Sequence, residues 1–199
     1  MFEVAEYIGT VAFAMSGFFV AVRSRLDFLG TLISVFLTAF GGGIIRDVIV
    51  DRTPFAFSYD MPAIIVTIMM FVLILFKFHK RQNVENKAFF ILSDSIGLVS
   101  FSITGALIAL ESGLNFTGVL ALAFMTAVGG GITRDIIINE VPFVFKAGFY
   151  GTVALIIGAI LFMLNVFDLV DFYTTVTVFV FGVTLRLVAH YKKWSVPLI

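Results

Sequence analysis

Two heptapeptides hold most of the chemistry available to this chain: GGGIIRD at 41–47 and GGGITRD at 129–135. Each couples three residues that weaken a helix by about 1 kcal/mol apiece relative to Ala to a guanidinium and a carboxylate in strongly apolar surroundings. An ionised side chain inside a membrane span costs about 2.5–3.5 kcal/mol near its centre, so Arg46, Asp47, Arg134 and Asp135 need partners or water. Neighbours in sequence do not face each other on a helix, so each Arg is expected to pair elsewhere. Glu6 and Asp94 each lie 40 residues before an Arg, and the expected ion pairs are Glu6–Arg46 and Asp94–Arg134. These pairs either gate a polar pathway or brace the helices. Gly41, Gly42 and Gly43, and Gly129, Gly130 and Gly131, are expected to break their helices at mid-membrane depth. A break frees carbonyls near Phe40, Gly41, Val128 and Gly129, which would suit a dehydrating cation. Close helix packing is the other use of such glycines. Thr38, Thr126 and Thr133 add hydroxyls at the same depth, as do Ser16, Ser100, Ser102 and Thr104. Taken singly, such hydroxyls more often bond their own helix backbone. Arg186 reads as a side chain that snorkels to the surface.

The two heptapeptides belong to a longer repeat. Comparing 6–57 with 94–145 at a fixed offset of 88 gives 24 identities in 52 positions, among them Gly9/Gly97, Phe13/Phe101, Thr38/Thr126 and Pro54/Pro142. Shared apolar bias does not produce that density in one register. The chain of 199 residues is 60% hydrophobic and 13% charged, with mean hydropathy +1.10. A soluble domain carries about 25% charged residues, so the solvent of this fold is lipid. Runs of the required length of about 20 residues predict seven helical spans near 4–22, 28–50, 61–78, 88–110, 114–138, 147–165 and 172–190. A β-branched stretch at 174–178 could read as strand, but an open strand edge is not satisfied in hydrocarbon.

Three spans separate equivalent positions, so the second copy must cross in the opposite sense. The expected fold is all-α: two inverted three-helix repeats, 4–78 and 88–165, plus a seventh helix at 172–190, all in one membrane domain. Such inverted repeats are common in transporters, with their sites at the midplane. Arg23, Arg25, Lys77, Lys80, Arg81, Lys87, Lys146, Lys192 and Lys193 fall on one side, and only Arg52 on the other. The positive-inside rule then puts the N-terminus outside and the C-terminus in the cytoplasm. Glu3 and Glu6 at the first span argue against a cleavable signal.

Other classes are excluded. The 13 basic and 13 acidic residues cancel, which leaves no basic excess for nucleic acid. Zero Cys and two distant His offer no thiolate chemistry and no histidine metal site. No nucleophile–base pair or cofactor fingerprint is present, so an enzyme is not expected, and neither is a bound cofactor.

With its doubled GGG-x-x-R-D motif, seven spans and inverted repeats, the sequence closely resembles the trimeric intracellular cation channel (TRIC) family in its prokaryotic form. The resemblance covers nearly the whole chain. It implies a homotrimer in a prokaryotic plasma membrane, with one pore per subunit passing potassium and, less selectively, sodium along spans 2 and 5. Membrane lipid would be the other partner. Eukaryotic members carry a Lys-containing motif where this chain reads GGGIIRD, so their lipid regulation and calcium counter-ion role do not transfer. The alternative is a secondary transporter of a small zwitterion such as an amino acid, with Arg binding its carboxylate and Asp47 or Asp135 its amine.

Overall fold

The structure, a computed structural model, describes residues 2–80, 83–146 and 148–194. Nine α-helices occur among them: α1 (Phe2–Arg23), α2 (Phe28–Ile49), α3 (Phe55–Ser58), α4 (Asp60–Leu75), α5 (Asn83–Glu111), α6 (Phe116–Ile137), α7 (Phe143–Lys146), α8 (Gly151–Val166) and α9 (Phe172–Tyr191). A short 3-10 turn, Phe78–Lys80, follows α4, and no strand appears among the described residues. Residues 174–178 are helical.

Local chemistry explains the boundaries. The Asp27 and Asn115 side chains cap α2 and α6 by accepting from the backbone N–H of Gly30 (2.7 Å) and Gly118 (2.9 Å). Asp171 and Thr174 cap α9 reciprocally. All seven long helices stop the same way, two residues before a left-handed residue: Arg25, Asp51, Lys77, Gly113, Asn139, Asp168 and Lys193. Those carbonyl-satisfying turns replace the water a helix end would need.

Five helices, α1, α2, α5, α6 and α9, are long and apolar enough to cross a membrane. The third and sixth expected spans are shorter than the apolar runs at 61–78 and 147–165. As α4 and α8 they have 16 residues each, about 24 Å of helix against a hydrocarbon core of about 30 Å. Lys77 turns the chain after α4, and the residues preceding α4 are spent on α3, which Pro54 opens. Residue 147 lies outside the described set.

The core is a four-helix arrangement of α1, α2, α5 and α6. Helix α4 packs on α1 and α2, whereas α8 packs on α5 and α6, and α9 lies against α5 and α8. Ser16 meets Asp94, and Phe13 meets Phe101 edge-on at 5.1 Å. One number falls as the other rises, so α1 and α5 are antiparallel. The contacts repeat with an offset of 88. A Cβ on Gly9 would strike Phe101, and one on Gly97 would strike Phe13. One on Gly17 would meet Thr38 Oγ1 at 2.7 Å, and one on Gly105 would meet Thr126 Oγ1 at 2.7 Å. A pseudo-two-fold axis therefore passes between Phe13 and Phe101. Helix α9 has no counterpart across it.

The triple glycines do not break their helices. Both α2 and α6 run unbroken through 41–43 and 129–131, so no carbonyl at Phe40, Gly41, Val128 or Gly129 is released by a break. The reason is packing. A Cβ on Gly42 would collide with the Thr126 carbonyl, and one on Gly130 would lie 2.5 Å from that of Thr38. A Cβ on Gly41 would sit 2.9 Å from Gly130 Cα, and one on Gly129 would sit 2.8 Å from Ile45 Cδ1. The glycines let the backbones of α2 and α6 touch, and that contact outweighs their low helix propensity.

Candidate functional site

Glu6 projects from the first turns of α1, and Arg46 from the last turn of α2. Arg46 is 1% exposed, and its Nη2 donates to Glu6 Oε1 at 2.6 Å. Its Nε donates to Asp47 Oδ1 at 2.7 Å, Nη2 also reaches Asp47 Oδ2 at 3.0 Å, and Nη1 reaches Thr104 Oγ1 of α5 at 3.3 Å. The expectation that adjacent Arg and Asp stay apart is corrected here. Their Cβ atoms diverge, but the Arg side chain is long enough to fold back along the helix. Asp47 is held sideways to meet it, because Oδ2 also accepts the Phe55 N–H at 2.9 Å. Asp47 thereby ties the start of α3 to the end of α2.

The second copy repeats this with one change. Arg134 Nε donates to Asp135 Oδ1 at 2.8 Å, and Asp135 Oδ2 accepts the Phe143 N–H at 2.8 Å. Arg134 Nη1 reaches Thr38 Oγ1 at 3.2 Å. Asp94, however, makes no ion pair with Arg134 among the described residues. It accepts from Ser16 Oγ at 3.1 Å, and the Tyr150 phenol lies against it. An Asp is one methylene shorter than the Glu at the equivalent position, so it does not span the same gap.

Arg186 completes that cluster, and the snorkelling expectation is corrected. It is 3% exposed, its guanidinium carbon lies 4.8 Å from the centre of the Tyr150 ring, and its Nε has no hydrogen-bond partner. The guanidinium groups of Arg134 and Arg186 both lie within electrostatic reach of Asp94. Neither Tyr150 nor Arg186 stood out as a site residue in sequence. The signal was present in α9, where Thr175, Val178, Gly182, Arg186 and Ala189 form one buried stripe at helical spacing. An Arg inside such a stripe faces protein.

The hydroxyls divide by partner. Thr38, Thr126 and Thr133 bond the carbonyls of Ser34, Leu122 and Gly129, four residues back in each case. Ser102 bonds Leu98 O, whereas Thr10 and Ser100 are buried without a partner. Gly43 and Gly131 differ from the other four glycines. A Cβ there would meet nothing closer than the tips of Arg46 or Glu6 at 3.8 Å, or of Arg134 at 3.7 Å.

Two cavities open at opposite ends of α1. One, of about 540 Å³, is lined by Glu3, Glu6, Arg46, Asp47, Arg52 and Tyr59 and so reaches the first Arg–Asp pair. A pocket of about 10 Å³, one water in size, lies beside Glu6, Thr10 and Gly43. The other large cavity, of about 510 Å³, is lined by Arg23, Arg25, Lys87, Phe90, Phe143 and His190. It stops at Phe143 and does not reach Arg134 or Asp94. Phe143 packs edge-on against Phe90 and Tyr150, with ring centres 5.4 Å apart in both cases.

The chain is 34% identical over 198 residues to the UPF0126 membrane protein YvgT of Bacillus subtilis, covering 98% of this chain and 95% of the relative. A family model described as Glycine transporter matches residues 3–79 and again 91–166. A solved TRIC cation channel superposes with a TM-score of 0.86 at 32% identity, covering 100% of this chain and 97% of that one. The TRIC trimeric intracellular cation channel orthologue from Rhodobacter sphaeroides gives 0.86 at 27% identity, covering 96% and 98%. The chain belongs to the family of that model and to the TRIC family. As a TRIC-family member it is a multi-pass membrane protein. The family model matches twice, once on each side of the pseudo-two-fold axis.

Proposed function

We propose that this TRIC-family chain is a monovalent cation channel, permeable to potassium and also to sodium, with one pathway in each subunit of a homotrimer. The observation that carries the reading is the likeness over the whole chain to solved TRIC cation channels. The cavity lined by Glu3, Glu6 and Asp47 supports it, because it reaches a buried carboxylate–guanidinium cluster, whereas the opposite cavity is lined by Arg23, Arg25 and Lys87. In that cluster two carboxylates, Glu6 and Asp47, face one guanidinium, Arg46. An excess of negative charge in a low-dielectric wall concentrates cations.

The pathway runs past Arg46 and Asp47, alongside the closed α2–α6 contact on the side of Thr38 and Thr126, to Arg134, Asp135 and Thr133. Gly43 and Gly131 leave room beside the guanidinium tips, while the other four glycines hold α2 against α6. Glu6 with Arg46 is the charge pair whose separation would open its half, whereas in the other half Asp94 already stands apart from Arg134 and is held by Ser16. In the bilayer the chain crosses seven times as two inverted repeats and a seventh helix. The distribution of basic residues supports a prokaryotic plasma membrane, with the N-terminus outside and the C-terminus in the cytoplasm.

A second reading, secondary transport of a small zwitterion, draws on the Glycine transporter description of the matching model. Geometry weighs against it. The three nitrogens of Arg46 already donate to Glu6, Asp47 and Thr104, which leaves no free fork for a carboxylate. Unbroken helices also present no half-helix N-terminus to it. Purified protein in planar bilayers under asymmetric KCl tests the proposal. Discrete current steps that reverse near the potassium equilibrium potential are expected. Saturable glycine uptake into vesicles, with no such steps, would overturn it.

A further inference from the structure

The two halves can be compared at one place, where the residues stand 91 apart and not 88 and Tyr59 is extended while Tyr150 has a helical backbone. Tyr59 and Tyr150 each stand immediately before the 16-residue third helix of their half, α4 and α8. Each packs on the equivalent phenylalanine, Tyr59 on Phe55 with ring centres 6.2 Å apart and Tyr150 on Phe143 at 5.4 Å. Phe55 and Phe143 are themselves anchored alike, their N–H groups donating to Asp47 and Asp135. Yet Tyr59 is 63% exposed and lines an open cavity, while Tyr150 is 5% exposed and lies behind Phe143, which lines the other cavity. The element present beside Tyr150 and absent beside Tyr59 is α9, which lays Arg186 over the ring.

We infer that Arg186 is a latch: it pins Tyr150 against Phe143 and Asp94 and so seals the half of the molecule that faces Arg23 and His190. A guanidinium over an aromatic face is attracted to it, most strongly when the pair is desolvated. The same guanidinium faces the Asp94 carboxylate, which the phenol touches. Pulling Arg186 away removes both attractions at once. Tyr150 is then free to swing outward as Tyr59 has done, and Phe143 loses the ring that backs it. The cavity at Arg23 would then extend to Asp94 and Arg134, as the opposite cavity already extends to Glu6 and Arg46. The seventh helix is thus the lever that makes two nearly equal halves behave differently.

This inference rests on the channel reading for its purpose but not for its test. The chain has no Cys, so one introduced at Ser16, beside Asp94, reports on water reaching that half. A charged, water-soluble thiol reagent added to the purified full-length protein is expected to label S16C slowly. Labelling of S16C/R186Q should be at least tenfold faster, and S16C/R186K, which keeps a cation over the ring, should stay slow. S16C/Y150A should match the R186Q rate. Equal rates in S16C and a folded S16C/R186Q would overturn the latch. Should R186Q not fold, a slow rate in S16C/Y150A would overturn it equally. A merely structural role for Arg186 predicts lower thermal stability with no selective gain in labelling, which is also a failure. Bilayer currents are read separately. Their absence, with fast labelling of R186Q, would sink the channel and leave the latch standing.

Discussion

At the scale of single residues, the six motif glycines are two populations. Gly42 and Gly130 sit where any Cβ meets a backbone carbonyl, which cannot move away without its helix. Gly43 and Gly131 face only the flexible ends of Arg46, Glu6 or Arg134. Gly42→Ala and Gly130→Ala are therefore expected to force α2 from α6 and cost roughly 1–3 kcal/mol, the usual range for overpacking. Gly43→Ala and Gly131→Ala should be neutral or raise stability by up to about 1 kcal/mol, the helix-propensity gain. Thermal unfolding of the four variants in detergent checks this, and destabilisation of all four alike would contradict it. Sequence alone could not sort them. It showed that Arg46 and Arg134 need partners and named Glu6, which does contact Arg46. It did not show the return contact to Asp47 or the loss of contact between Asp94 and Arg134. Both depend on a side-chain reach of one methylene or one rotamer, which a spacing rule does not contain.

At the scale of elements, the helices were legible because their apolar runs are long enough to cross a bilayer. The structure adds the caps, Asp27, Asn115 and Asp171, which set where three of them begin. What hydropathy could not resolve was where apolar chain stops being helix. The run at 61–78 stays apolar past Leu75, and only the left-handed Lys77 ends α4. The loops are then tied together by ion pairs. Arg23 Nη2 lies 2.9 Å from Glu140, and Ser24 Oγ donates to the same carboxylate at 2.7 Å. Donation from Ser24, reinforced by Arg23, holds the Glu140 carboxyl below the usual range. A lowered folded-state pKa adds stability that is present above the unfolded value of about 4.3 and is lost as pH falls through the folded value. The pair is largely exposed, so the effect should be under about 1 kcal/mol. Thermal midpoints of wild type and Glu140→Gln should differ slightly at neutral pH and converge in acid below pH 4. A gap that widens in acid would show the sign to be wrong.

At the scale of the whole molecule, the same clamp recurs with its charges exchanged. Arg52 Nη2 lies 3.3 Å from Glu111, and these two are the repeat equivalents of Glu140 and Arg23. The duplicated fold has kept the contact and swapped the signs. In one half the Arg sits at the end of α1 and the Glu after α6. In the other the Glu sits at the end of α5 and the Arg after α2. Swapping signs keeps each clamp closed while each end of the bundle still carries one Arg and one Glu from the clamps. The clamps therefore cannot orient the protein. The bias rests on the remaining loop charges, including Arg25, Lys87, Lys146, Lys192 and Lys193, which have no basic counterparts around Arg52. Orientation by such a bias is a statement about insertion, and it has a direct readout in a chain without cysteine. Ser112→Cys, exposed after α5, and Lys192→Cys, exposed after α9, lie at opposite ends of the bundle. In intact cells a membrane-impermeant maleimide is expected to label Ser112→Cys and to label Lys192→Cys only after permeabilisation. The reverse pattern would place the Arg23 cavity outside and the Glu6 cavity in the cytoplasm. Equal labelling of both would mean that a chain built from two inverted copies inserts both ways, with the bias too weak to break its own symmetry.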